Sequence, residues 1–315
     1  MKILVTGATG FVGTALCAHL AQGDDAVVPA VRTPHGLPNE IVTGNLDNST
    51  DWRAALTGCA AVVHLAARVH VMHDAAANPL TLYRATNTDA TLHLARAAAA
   101  AGVKRFIFIS SIKVNGEGRA TPYRETDHAA PEDAYAQSKW AAEQGLWRIA
   151  QDSGLEVVIL RPPLVYGPGV GANFLQLMRI VKRGWPLPFG AIHNQRSLLY
   201  LGNFVDAIQR CIAHPAAPGK TFLLDDGAPV STPELIRALA QAMHRPARLL
   251  ALPPRALAFI GTLLGKRAAI ARLTGSLYVD STAIRAQLGW TPPFSMQAGL
   301  RATVAQHASG VHRLK

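Results

Sequence analysis

The sequence predicts a doubly wound α/β fold with a parallel sheet, because short apolar runs alternate with longer alanine- and leucine-rich stretches through the first half of the chain. The apolar runs are hydrophobic nearly throughout, as is typical of strands buried on both faces of such a sheet. The predicted strands are residues 2–6, 26–32, 41–43, 61–65, 105–110 and 156–160. The predicted helices between them are residues 11–22, 51–57, 79–101 and 132–153.

The pattern changes after Arg161, where prolines and glycines crowd residues 162–171 and indicate a loop. A helix at 174–183 follows, and then a loop at 184–194. A helix at 203–213 and a strand at 221–224 restore one more α/β unit. The remainder reads as helical. We therefore expect one domain of residues 1–165, to which 195–226 return. Residues 166–194 and 227–315 would form a smaller, mostly helical second domain.

Composition narrows the possible partners. The 315 residues carry 31 Lys or Arg against 20 Asp or Glu, a formal charge of +11 that favours an anionic ligand. Because no basic patch is interleaved with aromatic residues, we expect a phosphorylated small molecule and no nucleic acid. The 3 scattered cysteines favour a reducing compartment.

We expect a cytoplasmic protein without stable membrane insertion. No signal-peptide pattern precedes the first strand. The longest near-apolar stretch, residues 249–264, is interrupted by Pro253, Pro254 and Arg255, and is too short to span a bilayer. It could lie on a membrane surface, but a core helix or a lid is the favoured interpretation.

A glycine-rich turn follows the first strand and opens the first helix. Glycines at 7, 10 and 13 suit a tight turn, close approach to a pyrophosphate and close helix–strand packing, and the helix N-terminus attracts phosphate. The turn therefore predicts a dinucleotide site. Its expected contacts are Gly7, Thr9, Gly10, Phe11, Val12 and Gly13.

The end of the second predicted strand indicates which dinucleotide is bound. An acidic residue there would hydrogen-bond the ribose 2′-hydroxyl of NAD, whereas an arginine accommodates a 2′-phosphate. This chain has Arg32 and no acid at that point, which favours NADP over the alternative, NAD. Asn45 and Leu46, after the next strand, are predicted contacts of the adenine side.

A hydroxyl, a phenol and an amine are predicted to converge near the cofactor. Tyr135 and Lys139 lie one helical turn apart on one face, and Ser111 follows an apolar strand whose end would line the ligand crevice. A nearby lysine cation and an oxidised nicotinamide would lower the pKa of the phenol, which is otherwise near 10. Tyr135 could then take the proton of a substrate alcohol, or return it, while the carbon that bears this alcohol loses or gains a hydride. Ser111 would bind the same oxygen.

Taken together, these motifs resemble the extended short-chain dehydrogenase/reductases, in particular the nucleotide-sugar epimerase/dehydratase branch. The resemblance is carried by Gly7-x-x-Gly10-x-x-Gly13, His64-Leu65-Ala66-Ala67, Asn87, Ser110-Ser111, Tyr135-x-x-x-Lys139 and Arg161-Pro162-Pro163-x-Val165-Tyr166-Gly167-Pro168. It implies a Rossmann domain, a C-terminal nucleotide-sugar domain and a homodimer formed through the helices at 79–101 and 132–153.

The same resemblance implies roles for particular residues. Ser111, Tyr135 and Lys139 would be catalytic, with Tyr135 and Lys139 also contacting the cofactor. Ser111, Asn173 and Arg196 would contact a UDP-sugar. The further implied cofactor contacts are Leu65, Ala66, Ala67, Asn87 and Pro162.

Departures from the family pattern narrow the expected activity. The 4,6-dehydratases carry an Asp-Glu pair just after the catalytic hydroxyl, where this chain has Ile112-Lys113, so dehydration is not expected. His64, His70 and His73 are interpreted as loop residues that touch substrate or as surface residues, and not as metal ligands. Beyond Asp74, no carboxylate or cysteine has a suitable ligand spacing, and the expected chemistry needs no metal.

We expect an NADPH-linked reductase of a 4-keto nucleotide sugar, of the kind used in surface-polysaccharide biosynthesis. The alternative is a UDP-hexose or UDP-N-acetylhexosamine 4-epimerase that retains NAD, with the same three catalytic residues. A dinucleotide-binding protein without catalysis is disfavoured by the intact catalytic set.

Overall fold

The computed structural model describes residues 1–69, 79–263, 265 and 267–308. One sheet has seven parallel strands in the order β3-β2-β1-β4-β5-β6-β9, and a separate parallel pair is formed by β7 and β8. The strands are β1 (Lys2–Thr6), β2 (Ala26–Val31), β3 (Ile41–Val42), β4 (Ala61–His64), β5 (Arg105–Ile109), β6 (Glu156–Arg161), β7 (Leu164–Tyr166), β8 (Leu198–Tyr200) and β9 (Lys220–Leu223).

The sheet is doubly wound as predicted, because the strand order reverses between β1 and β4. Crossover helices cover both of its faces. The helices are α1 (Phe11–Leu20), α2 (Arg53–Leu56), α3 (Pro79–Arg84), α4 (Ala90–Ala100), α5 (Ala134–Ser153), α6 (Ala172–Arg183), α7 (Leu201–Ala213), α8 (Thr232–Ala242), α9 (Pro254–Leu263), α10 (Arg267–Thr274), α11 (Thr282–Leu288) and α12 (Met296–Ala308). The carboxyl ends of β1 and β4 therefore form the edge at which such folds bind ligands.

The side chains of successive residues along each strand point to opposite faces of the sheet and pack in different cores. Ile3 and Val5 of β1 belong to a core with α1 and α7, whereas Leu4 belongs to a core with α4 and α5. Complete burial on both faces explains why the predicted strands lack polar alternation.

A third core lies away from the main sheet, where α6, α8 and α12 pack around Tyr166 and Phe174. It lies mainly in the segments predicted as the second domain. However, Ile284 of α11 and the nearby Trp290 pack into the first core beside α7. Residues of both predicted domains thus contribute to the first core. The division into two domains remains a prediction.

Local differences from the predicted elements have identifiable causes. The predicted helix 79–101 contains a π-helical turn at Ala85–Asp89 that separates α3 from α4, and this turn presents Asn87 inward. The parallel pair of β7 and β8 is not visible in the sequence pattern, since each strand has only 3 residues. None of the described helices combines the length and apolar composition that crossing a membrane requires.

Candidate active site

The glycine turn lies where the strand order reverses. Gly7 has φ +67°, and a Cβ atom placed on Gly13 would come within 2.1 Å of the Gly7 carbonyl oxygen. The turn is closed by a hydrogen bond from Gly10 N to Gly7 O at 2.9 Å. Only glycine at 7 and 13 allows this geometry.

The start of α1 fits a dinucleotide phosphate. Gly10, its N-cap, offers no side-chain acceptor, and the first turn contains no acidic residue. Its free N–H groups and positive dipole end therefore remain available for an anion. Thr9 is exposed at the tip of the turn, while Phe11 and Val12 are half-buried against the core.

The segment after β4 is fixed against this turn. Ala66 N donates to Thr6 Oγ1 at 3.2 Å, and a Cβ on Gly7 would lie 2.8 Å from Ala66 N. Leu65 and Ala67 flank this contact and are half-buried. The predicted contacts at 65–67 thus line the same end of the sheet as the glycine turn.

The residues predicted to bind the adenosine half of the dinucleotide, or to distinguish NADP from NAD, lie after two neighbouring strands. Arg32 follows β2 and is exposed, Asn45 is exposed after β3, and Leu46 is half-buried against the core. The nearby carboxylate of Glu40 accepts hydrogen bonds from the backbone N–H groups of its own loop, at His35, Gly36 and Leu37. It therefore does not replace the acid that is absent at the end of β2.

The structure brings Ser111, Tyr135 and Lys139 together. The Tyr135 phenol is hydrogen-bonded to the Ser111 side chain. Lys139 Nζ donates to the carbonyl oxygen of Ile109 at 2.8 Å, at the end of the strand that delivers Ser111. Asp133 caps α5 by accepting from Ala136 N at 2.7 Å, which begins the helix just before Tyr135.

Burial changes the acidity of both groups on α5. It raises the pKa of Tyr135 to about 12, an effect that nearby Asp133 reinforces and the Ser111 hydrogen bond opposes. Burial also lowers the pKa of Lys139 to about 7. Without a cofactor, the pKa of the Tyr135 phenol is therefore raised and not lowered as the sequence predicts, because desolvation has the largest effect on it. The remaining positive charge expected at this site would come from the oxidised cofactor.

A buried ion pair that sequence reasoning missed supports this site. Glu143, one helical turn after Lys139, accepts from Arg161 Nε at 3.0 Å and from the Ser110 hydroxyl. Arg161 also donates to Asn115 Oδ1 at 2.9 Å. The network joins α5 to the ends of β5 and β6. The sequence does contain a sign of this arrangement, because Glu143 follows Tyr135 and Lys139 at intervals of four residues and so lies on the same helix face.

A second buried network fixes the opposite side of the site. The His64 ring lies between Thr6 Oγ1 at 2.7 Å and Thr91 Oγ1 at 2.9 Å. Its pKa is lowered to about 3, first by burial and then by the positive charge of Lys139. His64 is thus a neutral core residue and not the loop or surface histidine that we predicted. His70 and His73 lie outside the described residues.

Asn87 connects two segments of the site. Its side chain accepts from Arg68 N at 2.8 Å and donates to Arg68 O at 3.0 Å, and it also donates to Ser138 Oγ at 3.0 Å. Asn87 thus holds the loop after β4 against α5. Its predicted contact with the cofactor remains a prediction beside this structural role.

The remaining predicted contacts are more dispersed. Pro162 is buried, and its carbonyl oxygen accepts from Ile112 N at 3.1 Å, beside Ser111. Asn173 is exposed in the first turn of α6. Arg196 is half-buried and donates from one guanidinium nitrogen to the carbonyl oxygens of Arg272 at 2.7 Å and Gly275 at 3.1 Å. The UDP-binding roles of Asn173 and Arg196 remain predictions.

Residues 3–224 match the model of the NAD dependent epimerase/dehydratase family. The chain belongs to this family. The match includes the glycine turn and the three clustered side chains, so this family member is an enzyme of the short-chain dehydrogenase/reductase type with the predicted Rossmann fold.

Individual relatives agree with this assignment. The chain is 49% identical over 310 residues to a UDP-glucose 4-epimerase of Vibrio cholerae, covering 96% of this chain and 94% of the relative. It is similar to the crystal structure of a Thermotoga maritima UDP-glucose 4-epimerase with UDP-glucose, with a TM-score of 0.79, 25% identity and coverage of 98% and 99% of the two chains. It is also similar to MoeE5 in complex with UDP-glucuronic acid and NAD, with a TM-score of 0.78, 26% identity and coverage of 99% and 100%.

Proposed function

We propose that this family member is a UDP-hexose 4-epimerase that works with bound NAD. The observation that carries the proposal is the 49% identity to the Vibrio cholerae UDP-glucose 4-epimerase across nearly the whole of both chains. The catalytic geometry alone suits a reductase equally well, since both reactions need the same phenol, hydroxyl and amine. The relatives therefore favour the alternative of our two sequence hypotheses over the 4-keto-reductase.

The hydrogen bond between Tyr135 and Ser111 lets both hydroxyls address one sugar oxygen. Tyr135 would remove the proton of the 4-hydroxyl and later return it, while Ser111 holds the oxygen throughout. Bound NAD, held at the turn of Gly7, Gly10 and Gly13, would supply reversible hydride transfer at carbon 4 on either face of the sugar. Since the proton and the hydride both return, the reaction consumes no reductant.

The turn that contains Lys113 supports this choice over dehydration. Lys113 Nζ contacts Glu117 and Asp133, each at 2.7 Å. A dehydratase needs an acid and a carboxylate base beside the catalytic hydroxyl. At this position the chain has the Lys113 ammonium instead. Burial lowers its pKa, but the bonds to Asp133 and Glu117 outweigh that effect, so the pKa is raised overall.

The cofactor proposal rests on the glycine turn and on the NAD named in the MoeE5 complex. Exposed Arg32 is the observation that favours NADP and, with it, the reductase. Denaturing the purified protein and identifying the released dinucleotide decides between them. Released NAD supports the epimerase, whereas an empty protein that binds added NADPH more tightly than NADH contradicts it.

The activity test is incubation of the purified protein with UDP-glucose and no added cofactor, followed by chromatographic separation of UDP-glucose from UDP-galactose. We expect interconversion toward one equilibrium ratio from either side, and no conversion by Tyr135→Phe. If the protein converts neither sugar but consumes NADPH with a 4-keto nucleotide sugar, the reductase is correct.

The predicted homodimer also remains a proposal, supported by the helical surface that α4 and α5 form on one side of the sheet. Sedimentation equilibrium of the purified protein tests it, with a monomeric mass as the contradicting result.

A further inference from the structure

The α9–α10 hairpin exposes apolar side chains that have no partner within the described chain. Leu257 and Gly261 face inward, and a Cβ on Gly261 would lie 2.7 Å from Ile270 Cδ1, so the two helices pack closely together. On the opposite side of α9, Phe259 is 66% exposed and Leu263 is 70% exposed. Residues spaced by four share one helix face, so these two form a continuous apolar surface.

This hairpin lies in the most basic part of the molecule. Residues 244–279 contain 6 Lys or Arg and no Asp or Glu. More broadly, residues 166–194 and 227–315 carry 14 of the 31 basic residues but only 2 of the 20 acidic ones. The net positive charge therefore belongs to this part, and the remainder of the chain is close to neutral.

Apolar and basic groups occur together on the hairpin surface. Arg255 is exposed on α9 together with Phe259 and Leu263, and Arg267 is exposed at the start of α10. The segment that leads into α9 pairs with residue 187 through Leu250 N and Leu187 O at 2.8 Å, and it adds the half-exposed Leu250. An apolar helix face bordered by arginines is the pattern of helices that lie in the interface of an anionic bilayer.

A second copy of the chain fits this surface poorly. In a two-fold dimer the same patch meets itself, so the arginines would face one another without an acidic partner. An anionic lipid surface supplies both the apolar layer for Phe259 and Leu263 and the negative charge for the arginines.

We propose that the α9–α10 hairpin docks this protein on an anionic phospholipid surface. The base of the hairpin is firmly held, since Asn194 Nδ2 donates to Gly275 O at 2.9 Å and Arg196 donates to the neighbouring carbonyl oxygens. The 8 residues of α10 span about 12 Å. Docking would therefore place Arg196, the predicted UDP contact, close to the membrane surface.

The test is flotation of the purified full chain with vesicles of phosphatidylcholine alone and of phosphatidylcholine and phosphatidylglycerol in equal parts. We expect flotation only with the anionic vesicles and a decrease as salt is raised. Phe259→Gln with Leu263→Gln, and separately Arg255→Gln with Arg267→Gln, should each weaken vesicle binding by at least about tenfold.

Matched controls lie in the nearly neutral part of the chain. Val42→Gln removes an exposed apolar side chain and Lys220→Gln an exposed cation, and neither should change flotation. The thermal unfolding midpoint of all of these variants should be close to that of wild type, which shows that they fold.

Either of two flotation results overturns the proposal. One is the absence of wild-type flotation with anionic vesicles. The other is flotation of the hairpin variants equal to that of wild type. If the hairpin variants instead change the sedimentation mass of the protein, the surface is an interface between copies and the proposal is wrong. Because vesicle binding is measured without substrate, failure of the epimerase assay leaves this test intact.

Discussion

At the carboxyl ends of β5 and β6 the chain buries charged side chains, whereas on the α9–α10 hairpin it exposes apolar ones. Lys139 is 2% exposed and Glu143 is fully buried, while most of the surface of Phe259 and Leu263 is open to solvent. Stability alone favours the reverse distribution. We therefore interpret both regions in terms of function, the first by the proposed proton transfer at a fixed site and the second by the proposed docking.

The two regions also differ in how their unfavourable groups are compensated. The buried Glu143–Arg161 pair is satisfied by hydrogen bonds within the fold. The exposed apolar face of the hairpin has no such partner among the described residues. Breaking the Glu143–Arg161 pair should therefore cost stability, whereas substitutions on the exposed face of the hairpin should cost hardly any.

The largest effect is expected from Tyr135→Phe. This change removes the proposed proton carrier but leaves the ring, so turnover should fall by about 10²- to 10⁴-fold while dinucleotide affinity stays nearly unchanged. Steady-state kinetics and cofactor titration measure the two quantities. Tyr278→Phe is the control, because its phenol donates to Ala120 O at 2.7 Å outside the site. Equal turnover in the two variants would remove Tyr135 from the mechanism.

Glu143→Gln should destabilise the protein by about 3–5 kcal/mol, since it leaves Arg161 buried without its anionic partner. Denaturant unfolding measures this free energy. Glu156→Gln is the matched control, because Glu156 also pairs with a buried arginine, Arg105, but is itself 27% exposed. We expect a clearly smaller loss for Glu156→Gln. Equal losses would mean that burial of the carboxylate does not matter.

Lys139→Met should abolish activity yet raise the free energy of unfolding at pH 6. The pKa of Lys139 is about 7 in the folded chain, below its ordinary value of 10.5, so the unfolded chain binds more protons between these values. Wild-type stability therefore rises with pH through this window, and the advantage of the methionine variant should shrink. Unfolding at pH 6, 8 and 10 checks the trend, with Lys220→Met as the exposed control. A constant difference would contradict burial of the charge.

The smallest effect on stability is expected at the hairpin. Phe259→Gln with Leu263→Gln should change the free energy of unfolding by less than about 1 kcal/mol, because neither side chain packs in the core. Thermal unfolding measures it. A loss as large as that of Glu143→Gln would show that the hairpin is packed and not free to dock.

Much of the catalytic region was predictable because its signals are local. The pairing of Tyr135 with Lys139 follows from helical spacing, and Ser111 follows from its place at a strand end. The π-helical turn and the hydrogen bonds of Asn87 were not predictable, since they depend on Arg68 and on Ser138 of another helix. The hairpin surface was only one of several interpretations of residues 249–264, because hydropathy does not show which face of a helix is covered.

The sequence alone determined the parallel sheet, the glycine turn and the order of the proposed catalytic residues, because these depend on runs, spacings and residue types along a few turns of chain. Only the tertiary structure decided that His64 is a buried neutral side chain, that Glu143 pairs with Arg161, and that Phe259 and Leu263 face outward. Each of these depends on which distant segments exclude water from a side chain, and the free energy of a charge or an apolar group is decided by that exclusion.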